Sequence, residues 1–223
     1  SGPSIFTPLP IQSLSSRSVS AFAWNSSPSL PLLAVCTSPT HGSSHTDTSV
    51  RAGRTEGGTV ILIDSEGQPY EDVVIRPREP GASPRLLAWS PPHIHEGSLL
   101  AIGWDDGMVM LWSLAERLAR EDAEQHAPHP VSVLLWSPDA ERLISGDRRS
   151  EGAATLAVWK VDSRGRHSTI CPYKRPALGG LTHAIFRTAG RTTKLVTSAF
   201  AAADSSPFYF AGEAGAGAYA TDG

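Results

Sequence analysis

An all-β chain of repeated small antiparallel sheets follows from one recurring string, its spacing and its punctuation. The string is an apolar run closed by Trp, a turn, a second apolar run, a tight turn and a third run. It is clearest at 131–166. Val131 to Trp136 ends in Ser137-Pro138-Asp139, Arg142 to Ser145 in Gly146-Asp147, and Ala154 to Val161 in Asp162-Ser163-Arg164-Gly165. Short runs rich in Val, Leu and Trp, bounded by Gly, Pro, Asp and Ser, read as strands with tight connections. Pro138 has no N–H for a ladder and marks a strand end. The anchors Trp24, Trp89 and Trp136 stand 65 and 47 residues apart.

The elements follow in order. Residues 1–18 are rich in Ser and Pro and read as a loosely ordered lead-in. The first copy holds Val19 to Trp24, Leu32 to Val35 and Thr59 to Asp64, with Val73-Val74-Ile75 as its outer strand. Its long spacing comes from residues 37–57, a Ser/Thr/Gly-rich insert too polar to bury much surface, which reads as disordered. Ser65-Glu66-Gly67-Gln68 is a turn, and the proline-bearing stretch 76–84 connects to the second copy. That copy runs from the strand ending at Trp89 through Leu99–Gly103 and the Asp106-Gly107 turn to Met108–Trp112. Residues 114–125 place Leu114 and Leu118 four apart, a short helical connector with a thin apolar stripe. After 166, Ser168 to Cys171 is an outer strand stopped by Pro172. Leu181 to Phe186 opens a fourth copy, with Phe186 in the Trp position 50 residues after Trp136, followed by strands at Lys194–Ala199 and Phe208–Phe210.

The second spacing is close to the period of roughly 40–45 residues of WD40 blades. The fold expected is therefore a WD40-type β-propeller of about four blades. They lie near 19–76, 84–127, 131–172 and 180–223 of a partial domain 19–223. A blade packs against a neighbour on each face, which accounts for continuous apolar runs in place of strict alternation. Four copies are few for such a ring, so an incomplete ring is expected. Ser1-Gly2-Pro3 lacks a starting Met, consistent with a piece of a longer protein.

The chain has 223 residues, 40% of them hydrophobic, and a net charge of −3. Within 142–194 there are 11 Lys and Arg against 3 Asp and Glu, so this third can present a basic face. Cys36 and Cys171 lie in or beside apolar runs and read as core residues of a reducing compartment. No run is long enough for a membrane span, and aromatic and basic residues do not interleave as single-stranded nucleic acid requires.

Chemical signatures are sparse. Neither G-x-S-x-G nor G-x-x-x-x-G-K-[ST] is present. His93, His95 and Glu96 share a hairpin, and His126 and His129 share a loop, without the further ligands a metal needs. No catalytic residue, cofactor or metal is expected. The repeat positions Trp24, Trp89, Gly103, Asp106, Gly107, Trp112, Trp136, Ser145, Gly146, Asp147, Trp159 and Phe186 are read as structural. Asp147 is expected to organise its turn by hydrogen bonds. Trp104, Arg148, Arg149, Arg164 and Arg166 form a candidate partner surface: an aromatic that could lie at the rim or be buried between blades, and arginines in or beside turns.

The strings LLAIGWDDGMVMLW, LLWSPDAERLISGD, LAVWKVDSRGR and LTHAIFR, in that order, resemble one family in particular. It is the N-terminal WD-repeat propeller of the one-hundred-and-forty-kilodalton subunit of intraflagellar transport complex A. The resemblance covers 19–187 and is strongest over 84–187. It implies a protein with two propellers and a helical solenoid, of which this chain holds only the opening blades. It also implies a non-catalytic scaffold in retrograde ciliary transport, cilium assembly and ciliary import of membrane cargo. The partners implied are other complex A subunits and, indirectly, dynein trains and membrane cargo. The locations implied are the cilium, its base and basal body, and the cytoplasm. The alternative is a WD40 interaction module outside cilia, a substrate receptor or vesicle-coat subunit.

Overall fold

The computed structural model describes Leu14 and residues 17–39, 57–92, 98–148, 155–161, 167–174, 181–189, 192–200 and 207–210; from 167 onward only the backbone and its pairing are described. Fifteen strands build four antiparallel sheets among these residues. The first holds β1 (Arg17–Trp24), β2 (Leu33–Pro39), β3 (Thr59–Ile63) and β4 (Pro69–Ile75). The second holds β5 (Pro84–Trp89), β6 (Leu99–Trp104), β7 (Val109–Ser113) and β8 (Leu118–Ala123). The third holds β9 (Val131–Trp136), β10 (Arg142–Asp147), β11 (Thr155–Val161) and β12 (His167–Lys174). The fourth has three described strands, β13 (Leu181–Ala189), β14 (Thr192–Phe200) and β15 (Pro207–Phe210). Within each sheet every strand pairs with the next in sequence, and the first strands β1, β5, β9 and β13 stand side by side. These are the blades of a β-propeller, and among the described residues they do not close a ring.

Strand β6 shows why the runs are continuous, since all six of its residues are buried. Leu100, Ile102 and Trp104 face the first blade, while Leu99 and Ala101 face the third. Strand β7 repeats this, with Met110 and Trp112 toward the first blade and Val109 and Leu111 toward the third. A strand between two cores has no polar face, and each fully buried Leu or Ile contributes about 1.5–3 kcal/mol.

Three expectations give way to the structure. Residues 118–123 form β8, paired with β7 from Leu118↔Ser113 to Val109↔Ala123, not a helix. Without β8, the outward N–H and C=O groups of β7 would lack partners. The chain reverses over residues 114–117, with Leu114 buried and Arg117 at φ 55. Strand β12 does not stop at Pro172, which lies opposite Ala157 inside the pairing. It is the outermost strand of its blade, where a residue without N–H is tolerated. Finally, β2 runs to Pro39, so the polar insert does not start at Thr37, which is fully buried and paired with Val19 and Thr59. Residues 40–56 of that insert and the end of the chain from 211 lie outside the described residues.

Candidate functional site

The polar groups of the interior lie where one blade meets the next. The Trp89 Nε1–H donates to the Ala23 carbonyl at 3.1 Å, and the Trp136 Nε1–H to the Ala88 carbonyl at 3.0 Å. Each anchor thus reaches the main chain of the preceding blade's inner strand, one residue before that blade's own anchor. Gly103 allows the same close approach between β6 and β9. A Cβ there would stand 2.7 Å from Cγ1 of Val131 and 2.9 Å from its Cβ. Gly107 has φ +91, in the left-handed region, and a Cβ would meet the Ala127 nitrogen at 2.4 Å.

The Asp106-Gly107 hairpin joins β6 to β7. The Asp106 carboxylate accepts the Met108 N–H at 3.0 Å, and the Trp104 N–H donates to the Met108 carbonyl at 3.0 Å. Burial raises the Asp106 carboxyl above its ordinary pKa; the Met108 N–H opposes the shift, while the Asp105 and Glu79 charges add to it. Asp105 binds Ser83 in both directions, accepting its N–H at 2.8 Å and donating its own N–H to its carbonyl at 3.0 Å. The hairpin is thereby tied to the connector between the first two blades.

The third blade holds a buried polar chain of four side chains. The Trp159 Nε1–H donates to Ser145 Oγ at 2.7 Å. Ser145 Oγ lies 2.6 Å from His126 Nε2, and His126 Nδ1 lies 3.4 Å from Asp147 Oδ2. The two ring nitrogens of His126 thus meet one oxygen each, Ser145 Oγ on one side and Asp147 Oδ2 on the other. Ser145, His126 and Asp147 are all fully buried. The order Asp–His–Ser is that of a nucleophilic triad. Here no substrate can reach the serine, whose oxygen already accepts the indole N–H. The His126 peptide N–H also donates to the Gly107 carbonyl at 3.3 Å. The residue therefore pins the second blade's hairpin to the third blade's sheet. Sequence reasoning weighed His126 only as a metal ligand. The signal that identifies it is a His ten residues before the anchor Trp136, with Ser145, Asp147 and Trp159 following in the next two strands.

The first two blades fill the same sheet positions differently. Opposite the anchors, Trp24 pairs with Leu33, Trp89 with Leu100 and Trp136 with Leu143. By that register, Val35 and Ile102 stand where Ser145 does, and Thr37 and Trp104 where Asp147 does. A family model described as the IFT140 first beta-propeller matches residues 11–206. The chain belongs to that family. IFT140 is a subunit of intraflagellar transport complex A, so this is a propeller of scaffold type from the ciliary transport machinery. The match extends beyond residues 19–187, where the sequence strings carry the resemblance.

In this IFT140-family propeller the repeat positions are distributed unequally. Trp89, Gly103, Gly107, Trp112, Trp136, Ser145, Asp147 and Trp159 are buried between blades. Gly146 lies in β10 opposite Val133 and Leu156, just before a register irregularity. Trp24 is 55% exposed, because no blade covers the outer face of β1 among the described residues. Phe186 lies in β13 opposite Leu195, and its side chain is outside the described set. Trp104 is not an exposed rim aromatic; it is 1% exposed in the core between the first two blades, and its Nε1–H has no partner there. Arg148 is exposed directly after β10, its N–H donating to the Pro130 carbonyl at 3.1 Å. Arg149, Arg164, Arg166, His93, His95 and Glu96 lie outside the described residues. Cys36 is buried as a free thiol, pushed up to about 12 by desolvation. Among the described residues no helix is long and apolar enough to cross a membrane. Nor do three or more His, Cys, Asp or Glu residues converge to hold a metal ion.

Proposed function

We propose that the chain serves intraflagellar transport complex A as a non-catalytic scaffold module. It acts in retrograde ciliary transport, cilium assembly and ciliary import of membrane cargo, through protein–protein contacts. The observation that carries this reading is the use of its buried polar groups in a chain of this family. The indoles of Trp89 and Trp136 and the His126 peptide end on a neighbouring blade, and the Ser145–His126 pair is shut away from solvent. Such groups hold a platform together and leave its faces free for partners. The partners are other complex A subunits and, through them, dynein trains and membrane cargo. The working locations are the cilium, its base and basal body, and the cytoplasm. The test is localisation and pull-down of the tagged protein in ciliated cells. Enrichment at the ciliary base and axoneme with complex A subunits recovered is the expected result. A diffuse signal without those subunits would sink the proposal.

The contact surface proposed is the basic segment with Arg148, Arg149, Arg164 and Arg166. Arg148 is exposed, and a cluster of arginines that the sequence places in or beside turns suits an acidic partner or an anionic lipid surface. Changing the four to Glu should weaken partner binding on the order of tenfold without altering the melting temperature. Unchanged binding at low salt would remove this surface from consideration.

A further inference from the structure

Each inner strand drops one residue from its pairing at the same place. Register slips pass over Ser20 in β1, Arg85 in β5, Ser132 in β9 and Thr182 in β13. All four stand four residues before the anchor position of their strand, held by Trp24, Trp89, Trp136 and Phe186. The strands lie side by side, so the bulges fall at one level. A bulge re-aims the side chain it carries.

At β5 both flanks show the effect. Leu87 packs into the core shared with the first blade, and Leu86 and Ala88 into the core shared with the third. Arg85 belongs to neither core and is exposed, although β5 has β1 on one side and β9 on the other. Strand β5 pairs only with β6, so the direction left to Arg85 is the inner edge of the blade, toward the propeller axis. The neighbouring bulge residues have committed their hydroxyls. Ser20 Oγ donates to the Pro84 carbonyl at 3.3 Å, and Ser132 Oγ to the Gly146 carbonyl at 3.5 Å. At the same end of the blade the Asp105 carboxylate accepts the Ser83 N–H at 2.8 Å. The Arg85 guanidinium makes no ion pair or hydrogen bond among the described residues.

We propose that Arg85 anchors a binding site for an Asp or Glu side chain of an extended partner segment that enters along the propeller axis. The guanidinium fork presents paired donors in the geometry a carboxylate accepts. One guanidinium matches one negative charge. A phosphate dianion would meet the same single cation and, at that end of the blade, the charges of Asp105 and Asp106. The site lies on the second blade and is distinct from the basic segment of the third.

A fluorescent polyglutamate peptide and the 223-residue chain test the proposal by anisotropy at low ionic strength, with polyglutamine as the control. Polyglutamate is expected to bind and polyglutamine not. Arg85→Gln should weaken binding on the order of tenfold or more, and Arg85→Lys, which keeps the charge and loses the fork, about threefold. Arg148→Gln should leave it unchanged. Arg85 is exposed, so none of these outcomes should come with a change in melting temperature. In NMR spectra of the labelled chain, the peptide should shift the Arg85 Nε–H and the amides of Leu86 and Val133. Absence of binding, equal affinity in Arg85→Gln, or shifts confined to 148–166 would each overturn the proposal. Inorganic phosphate displacing the peptide where acetate of equal ionic strength does not would mark a phosphate site and overturn the carboxylate assignment.

Discussion

Ser145 lies at the centre of the buried chain, accepting from the Trp159 indole and hydrogen-bonded to His126 Nε2. Ser145→Ala removes both bonds and strands an indole N–H and an imidazole nitrogen out of water. The expected loss is about 2–4 kcal/mol of unfolding free energy by urea titration, well above an ordinary surface change. Asp106 behaves differently. Its carboxyl has a raised pKa in the folded chain, so the folded state holds its proton to higher pH than the unfolded state does. Stability therefore falls as pH rises from the ordinary Asp value through the raised one. Asp106→Asn keeps an acceptor for the Met108 N–H and removes the charge. It should stabilise the chain above that window by less than about 1 kcal/mol, after discounting for solvent screening, and bring no gain below it. Thermal melts at acidic and neutral pH measure the difference.

Gly103 belongs to the scale of elements, because it sets how closely β6 approaches β9. Gly103→Ala drives a methyl group into Val131 and should cost about 1–3 kcal/mol. The variant Gly103→Ala with Val131→Ala should recover part of that loss, since the crowding lies in the Val131 side chain. Most strands were legible in the sequence because their periodicity and punctuation are local: Trp89-Ser90-Pro91 and Trp136-Ser137-Pro138 end β5 and β9 where the strings predict. Strand β8 was not legible. Its run LAREDA carries charge and helix formers, and its strand state is imposed by the open edge of β7. Pro172 misled for a related reason, since the edge position of β12 excuses it. At the candidate site, Ser145, Asp147 and Trp159 were marked by repeat position. His126 was missed because its partners lie 19 and 21 residues away, beyond any local pattern.

Over the whole molecule the blades are joined by contacts of different strength. Between the first two blades the interior is mainly apolar, with the Trp89–Ala23 bond at its inner edge and the Asp105–Ser83 pair on the connector. At the rim an Arg117–Glu71 ion pair links them, but both groups are largely exposed and the pair contributes no more than about 1 kcal/mol. Between the second and third blades, the Trp136–Ala88 bond and the Gly103–Val131 contact are joined by His126, bonded to one blade through its peptide and to the other through its ring. Separating those two blades would break the buried chain in the same movement. The second and third blades should therefore open to solvent as a single cooperative unit. In native-state hydrogen–deuterium exchange, the amides of Ala101 and Ile144 should share one opening free energy, while that of Val35 exchanges through a separate, lower-energy opening. Exchange of Val35 at the common rate would mean that all three blades open together.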